Sequence, residues 1–291
     1  MKGLLARHNT FTQLCCLGCI LLGNTFLAAV AATLVSCYGA GRIEPAMNLR
    51  LMLLIQNSIL FLGTPILAQH LFQDRALADA FSLRRPSYNR ILIGCVAILS
   101  SGPAIDALNT WNQSLRLPTC MHAIEQWMIA SEAQAEQITA QMLDIHTWSE
   151  LGVNLILIAA LAGVGEELLF RGTLQPILQR ATGNRHWGIW ITAFLFSAIH
   201  LQFFGFVPRM VLGALLGYLY LYTRSIWVPI AAHTLNNAWV VIFTPSAFNE
   251  KCRLIQHVAD MDNNPWFVVG SLLTSGLCIY WLYKRQLPSS C

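Results

Sequence analysis

Eight apolar runs, each close to the roughly 20 residues a helix needs to cross a bilayer, dominate this chain. Within a few residues they cover 12–37, 49–70, 90–109, 149–170, 187–206, 208–223, 226–244 and 265–283. The third is weakened by Pro103 and Asp106. The sixth is short, but Gly213 and Gly217 give it a small-xxx-small face suited to close helix packing. Of 291 residues, 55% are hydrophobic and 11% charged, with mean hydropathy +0.52; a soluble domain carries about 25% charged residues. The expected fold is therefore all-α, a polytopic membrane bundle of about eight transmembrane helices. No internal repeat, low-complexity tract or soluble domain interrupts it. Three regions follow: residues 1–148 with N-terminal spans and an outer amphipathic loop, 149–244 with the chemistry-bearing spans, and 245–291 with an outer loop and the last span.

Basic residues orient the bundle, because cytoplasmic loops are enriched in Lys and Arg. With the N-terminus inside, twelve of the 18 Lys and Arg fall in cytoplasmic segments, and Arg42, Arg50, Arg116, Arg209, Lys251 and Arg253 fall outside. Both termini are expected in the cytoplasm. The formal charge of +4 then reflects topology and gives no reason to expect nucleic acid as a partner. Membrane lipid is the expected surrounding. The first apolar run is longer than the roughly 7–15-residue core of a signal peptide, which favours a retained span. Leu34-Val35-Ser36-Cys37 nevertheless resembles a lipoprotein cleavage site, and with the short loops it points to a bacterial inner membrane. The nine cysteines form no metal pattern. Cys120 and Cys252 fall in two outer loops where a disulfide is feasible. The longest loop, 110–148, spaces Ile124, Met128, Ile129, Ile138 and Met142 along one helical face, which packs on the bundle or lies on the outer surface.

Charged groups inside these spans are costly and mark function by default. Glu166 and Glu167 stand side by side in GVGEELLFRGTLQ. Three pairs share an i, i+4 spacing and so each lie on one helical face: Glu167 with Arg171, Phe196 with His200, His233 with Asn237. Glu166 points about 100° away from Glu167, which leaves Glu167 to pair with Arg171 and Glu166 to face a cavity. Each residue alone has a plainer reading, as interhelical packing or as an ion-binding carboxylate. Together, on separate spans of one small bundle, they suit acyl transfer to water. Hydrolysis of a peptide needs an activated water, a proton for the leaving amine and donors for the oxyanion. Glu166 suits the general base, His200 a second hold on the water, and His233 with Asn237 the oxyanion donors. Zinc is the alternative, since Glu166, His200 and His233 make a His2Glu set of the catalytic kind. The lack of HExxH and the weakness of Asn as a zinc ligand favour metal-free chemistry.

At these residues the sequence resembles the CPBP, or Abi, family of intramembrane proteases, which includes Rce1-type CAAX prenyl endopeptidases and bacteriocin-processing or immunity proteins. The family's EExxxR is matched by Glu166, Glu167 and Arg171, its FxxxH by Phe196 and His200, and its HxxxN/D by His233 and Asn237. The resemblance covers about a third of the chain. It implies an endopeptidase with Glu166 as base, His200 assisting, a His233/Asn237 oxyanion hole, and Glu167, Arg171 and Phe196 in support. Family members are often labelled metalloproteases. The implied partner is a membrane-associated, lipidated or prenylated protein or peptide. The chain's own Pro288-Ser289-Ser290-Cys291 lacks the cysteine of a CAAX end. A proteolytically silent immunity or adaptor scaffold and a proton-coupled transporter are the competing functions.

One spacing conflicts with a shared site. On these boundaries Glu166 lies near the cytoplasmic end of its span, while His200 lies roughly 20 Å into its own. The two meet only if the boundaries shift or residues 171–186 dip into the bilayer, for which Gly172 and Pro176 predict a broken helix.

Overall fold

A computed structural model describes residues 2–244 and 265–286; Cys252, the expected outer loop at 246–264 and residues 288–291 lie outside the described residues. Among the described residues there are helices and no strands. We number the helices α1 (Thr10–Gly39), α2 (Pro45–Phe72), α3 (Tyr88–Ser114), α4 (His122–Leu143), α5 (Trp148–Thr182), α6 (Arg185–Ala198), α7 (Phe206–Thr223), α8 (Trp227–Phe243) and α9 (Pro265–Lys284). Each predicted apolar run is helical over most of its length. Six helices, α1, α2, α3, α5, α7 and α9, are long and apolar enough to cross a membrane, and the chain is a multi-pass membrane protein. Two others fall short: α6 has 14 residues and α8 has 17, and 14 residues rise only about 21 Å against a hydrocarbon core of about 30 Å.

The chemistry-bearing helices form one unit. α6 packs on α7 and on the last turns of α5, and α8 packs on α3 and on the first half of α5; α1 and α9 flank the unit against α2 and α3 respectively. Small residues set these approaches. A Cβ on Gly213 would lie 3.1 Å from Phe196 Cδ1, and one on Gly217 would lie 2.8 Å from Ile189 Cγ2. The small-xxx-small face predicted for the sixth run is therefore the α6–α7 seam.

α5 corrects the expectation of a break after Glu166. It stays helical to Thr182, with residues Phe170–Leu174 wound as a wider π turn and Pro176 just beyond. Proline has no N–H to give the carbonyl four residues back, and wider turns accommodate such a gap. The freed carbonyl of Gly172 accepts instead from Gln69 Nε2 at 2.8 Å. Helix continuity replaces the predicted dip, and Glu166 sits about 24 Å before the end of α5.

Two further expectations change. Arg50, assigned to an outer loop, lies within α2, only 3% exposed. Its Nε donates to Asn154 Oδ1 at 3.1 Å, and Asn154 Nδ2 donates to the Met142 carbonyl at 2.6 Å. The helix begins at Pro45, which suits a first helical position, so Arg50 is carried inward. The amphipathic stretch 122–143 is the helix α4, but Ile124, Ile129 and Ile138 stay exposed. α4 docks through other groups: the Trp127 and Phe203 rings are 5.1 Å apart, the Phe204 N–H donates to Glu132 at 3.3 Å, and Met142 is buried.

Candidate active site

α5 supplies Glu166, Glu167 and Arg171. Glu167 and Arg171 are fully buried, and one Glu167 oxygen, Oε1, accepts from both Arg171 Nη1 at 2.8 Å and His233 Nδ1 at 2.8 Å. Arg171 Nη2 also donates to the Gly213 carbonyl at 2.7 Å. The predicted pairing of Glu167 with Arg171 is thus present, with a histidine on α8 as an unforeseen second partner. Gly163 explains how α8 comes so near. A Cβ there would lie 2.7 Å from Thr234 Oγ1 and 3.1 Å from the Thr234 backbone nitrogen. Removing that carbon lets His233, the preceding residue, meet Glu167, one turn beyond Gly163.

Glu166 differs from its neighbour. Its side chain keeps 12% exposure, and its Oε2 lies 3.7 Å from His233 Nε2. That distance is too long for a direct hydrogen bond, so the two groups face each other across a gap. The paired carboxylates therefore have separate surroundings: Glu167 is held by a cation and an imidazole, while Glu166 is held by neither.

His200 arrives from a different direction than the sequence suggests. The fifth run was expected to be helical to 206, but α6 ends at Ala198 and His200 sits in the closing turn. The turn has a physical basis: Leu201 takes φ 53°, and the Ser197 hydroxyl donates to the Phe206 carbonyl at 2.6 Å, tying the turn to α7. His200 Nδ1 donates to the Phe196 carbonyl at 2.7 Å. From the start of α6, His200 is about 22 Å along, close to the depth of Glu166 from the same end of the bundle. The depth conflict was a matter of helix boundaries.

Phe196 joins the parts. Its ring lies 5.2 Å from the His200 ring and 5.9 Å from the His233 ring, and the Arg171 guanidinium carbon lies 4.9 Å from its centroid. A cation over an aromatic face is favourable, so the residue helps hold Arg171 as well as both imidazoles. Asn237, half-buried on the same face of α8 as His233, donates through Nδ2 to the Ile158 carbonyl at 3.3 Å. That carbonyl belongs to a π turn of α5, Leu155–Leu161, whose irregular bonding leaves acceptors for neighbouring helices.

Arg209 was assigned to an outer loop by the charge count. It occupies the first turn of α7, where Nη2 donates to Gln202 Oε1 at 2.6 Å, and it stands within electrostatic reach of Glu166, His200 and Glu132. The legible signal was an arginine inside a predicted span rather than between two.

The donor set bears on zinc in two ways. His200 gives its Nδ1 proton to a carbonyl and His233 gives its own to Glu167, so a neutral ring presents Nε2 as a lone pair in each case, the arrangement that orients metal-binding imidazoles. Yet among the described residues no three His, Cys, Asp or Glu side chains come together closely enough to form a metal site.

Comparison with known proteins bears on the same segment. Residues 148–239 match the family described as type II CAAX prenyl endopeptidase Rce1-like, a stretch that contains all three motifs. The chain is 26% identical over 119 residues to the uncharacterized protein YpbD of Bacillus subtilis (strain 168), covering 36% of this chain and 58% of that one. It is 30% identical over 121 residues to a second B. subtilis protein, provisionally named membrane peptidase YdiL, covering 41% of this chain and 48% of that one. The chain thus spans about half the length of the curated relatives it matches. No solved structure matches it.

Proposed function

We propose that this protein is an intramembrane endopeptidase that hydrolyses a peptide bond of a membrane-associated, lipidated or prenylated protein or peptide. The observation that carries the reading is Glu166 facing His233 across 3.7 Å, with the His233 and His200 rings both packed on Phe196 and Glu167 and Arg171 fixing His233 from behind. The match of this segment to a prenyl endopeptidase family and the likeness to a protein named for peptidase activity support it.

In this reading Glu166 takes a proton from a water held between it and His200, and the water oxygen attacks the scissile carbonyl. The carbonyl oxygen becomes an oxyanion that accepts from Asn237 and His233. Asn237 Nδ2 carries a second hydrogen beyond the one given to Ile158. His233 donates through Nε2 when its ring carries both protons, with Nδ1–H remaining on Glu167 at 2.8 Å. Arg209 adds positive charge beside the developing anion. Collapse of the intermediate breaks the C–N bond, and Glu166 returns its proton to the departing amine, leaving a carboxylate and an amine as products.

The Nε2 lone pairs favour a second reading, in which His200, His233 and Glu166 shift to hold zinc; the ion would polarise the carbonyl and the bound water. Elemental analysis of purified protein, together with cleavage assays before and after chelator, separates the two. Metal-free chemistry predicts undiminished cleavage after chelation, and loss restored by added zinc contradicts it. Glu166→Gln tests both against a silent scaffold, because a scaffold keeps its cellular role without the carboxylate. Proton-coupled uptake into liposomes would instead indicate a transporter.

A further inference from the structure

Beyond the helix ends that close the inner side of this site, the C-terminal ends of α5 and α7 and the start of α6 enclose a cleft of about 560 Å³, within the usual range for ligand sites. Arg75, Arg84, Arg185 and Arg224 line it, with Asp79 as the one carboxylate among the lining residues. Among the described residues none of these arginines makes an ion pair. Four cations against one anion leave the cleft strongly positive.

The walls are tied in place. The Ser225 hydroxyl donates to the Arg84 carbonyl at 2.7 Å, the Ile226 N–H to the Ser82 carbonyl at 3.3 Å, and Trp227 Nε1 to the Leu83 carbonyl at 3.4 Å. Arg224 ends α7 with φ 51°, a left-handed conformation that non-glycine residues adopt at a cost. Gln175, 1% exposed, forms part of the wall; its Nε2 donates to the Gly217 carbonyl at 3.2 Å, and its Oε1 has no partner among the described residues. Trp187 and Trp227, both exposed, stand two and three residues beyond Arg185 and Arg224. Tryptophans of this kind collect at the headgroup level of a membrane, which places the cleft at that depth.

We propose that this cleft binds the phosphate of an anionic phospholipid headgroup. Guanidinium groups match phosphate oxygens in planar, two-point fashion, and basic pockets between transmembrane helices take such headgroups. The site lies apart from the proposed catalytic cluster and does not depend on its chemistry.

Native mass spectrometry of the full chain, purified in detergent and offered phosphatidylglycerol and phosphatidylcholine with identical acyl chains, tests the proposal. Preferential retention of phosphatidylglycerol is expected. The triple variant Arg84→Gln, Arg185→Gln, Arg224→Gln should weaken that retention about fivefold for each arginine removed, without changing phosphatidylcholine. Inorganic phosphate in large excess should leave the lipid bound. Equal retention of the two lipids by the unmodified chain overturns the proposal and needs no variant, so a folding defect in the triple variant cannot protect it. Unchanged selectivity in a folded triple variant also overturns it, as does displacement by inorganic phosphate, which would mark a site for the free anion.

Discussion

Two buried polar networks sit on the same helix, α5, and end differently. Near its start, Arg50 donates to Asn154, Asn154 donates to the Met142 carbonyl, and Glu150 caps the helix through the His146 and Thr147 N–H groups. Three elements are stapled, and Arg50, Asn154 and Glu150 are each engaged in a helix-fixing contact. Four turns later, Glu167 holds Arg171 and His233, but the network stops short of Glu166 and leaves the Nε2 atoms of both histidines uncommitted. The first arrangement fixes helices. The second spends one carboxylate on fixing helices so that the other is left with freedom to react. Burial of polar groups therefore does not by itself identify a catalytic site; a carboxylate without a direct hydrogen bond beside one paired to a cation and an imidazole does.

That contrast can be broken by substitution. Glu166→Gln should lower cleavage about 10²–10⁴-fold, the range for removing a general base, while thermal stability stays near that of the unmodified chain, because Glu166 supports no direct hydrogen bond. Arg171→Met should do the opposite. It strands the Glu167 charge, and loss of one partner of a buried pair costs about 3–5 kcal/mol, read as a lower unfolding midpoint in lipid discs. Asn237→Ala should slow cleavage by about 2.7–4 kcal/mol in transition-state terms, as for other oxyanion donors. Its effect should appear in kcat more than in KM. Asn154→Ala, in the other network, should cost stability by about 1–3 kcal/mol through unsatisfied partners, with activity per folded molecule unchanged. Activity loss in folded Asn154→Ala comparable to that of Asn237→Ala would erase the distinction between the two regions.

The candidate site was legible where helical period alone decided it. Glu167 with Arg171, Phe196 with His200, and His233 with Asn237 all follow from i, i+4 spacing, and the divergence of Glu166 from Glu167 follows from the same geometry. Helix ends were not legible, because tertiary contacts set them. α6 stops at Ala198 since Ser197 bonds across the turn to Phe206, and α5 survives Pro176 because Gln69, on another helix, takes up the Gly172 carbonyl. Both facts depend on residues distant in sequence, and together they bring Glu166 and His200 to one depth. Arg50 and Arg209 were misplaced for a related reason. Counting charges by loop assumes that an arginine near a span boundary lies outside it, and here each is drawn into a helix by a side-chain partner, Asn154 for one and Gln202 for the other. The basic cleft was not legible in sequence because its four arginines come from three segments, Arg75 and Arg84 between α2 and α3, Arg185 at the start of α6 and Arg224 at the end of α7.

The most direct test of the central claim is digestion of a library of lipidated peptides in 18O-labelled water by purified protein in lipid discs, comparing the unmodified chain with Glu166→Gln by mass spectrometry. The account predicts new peptide termini carrying the heavy oxygen for the unmodified chain, and their loss in a variant that stays folded. Cleavage persisting at an undiminished rate in Glu166→Gln would contradict it.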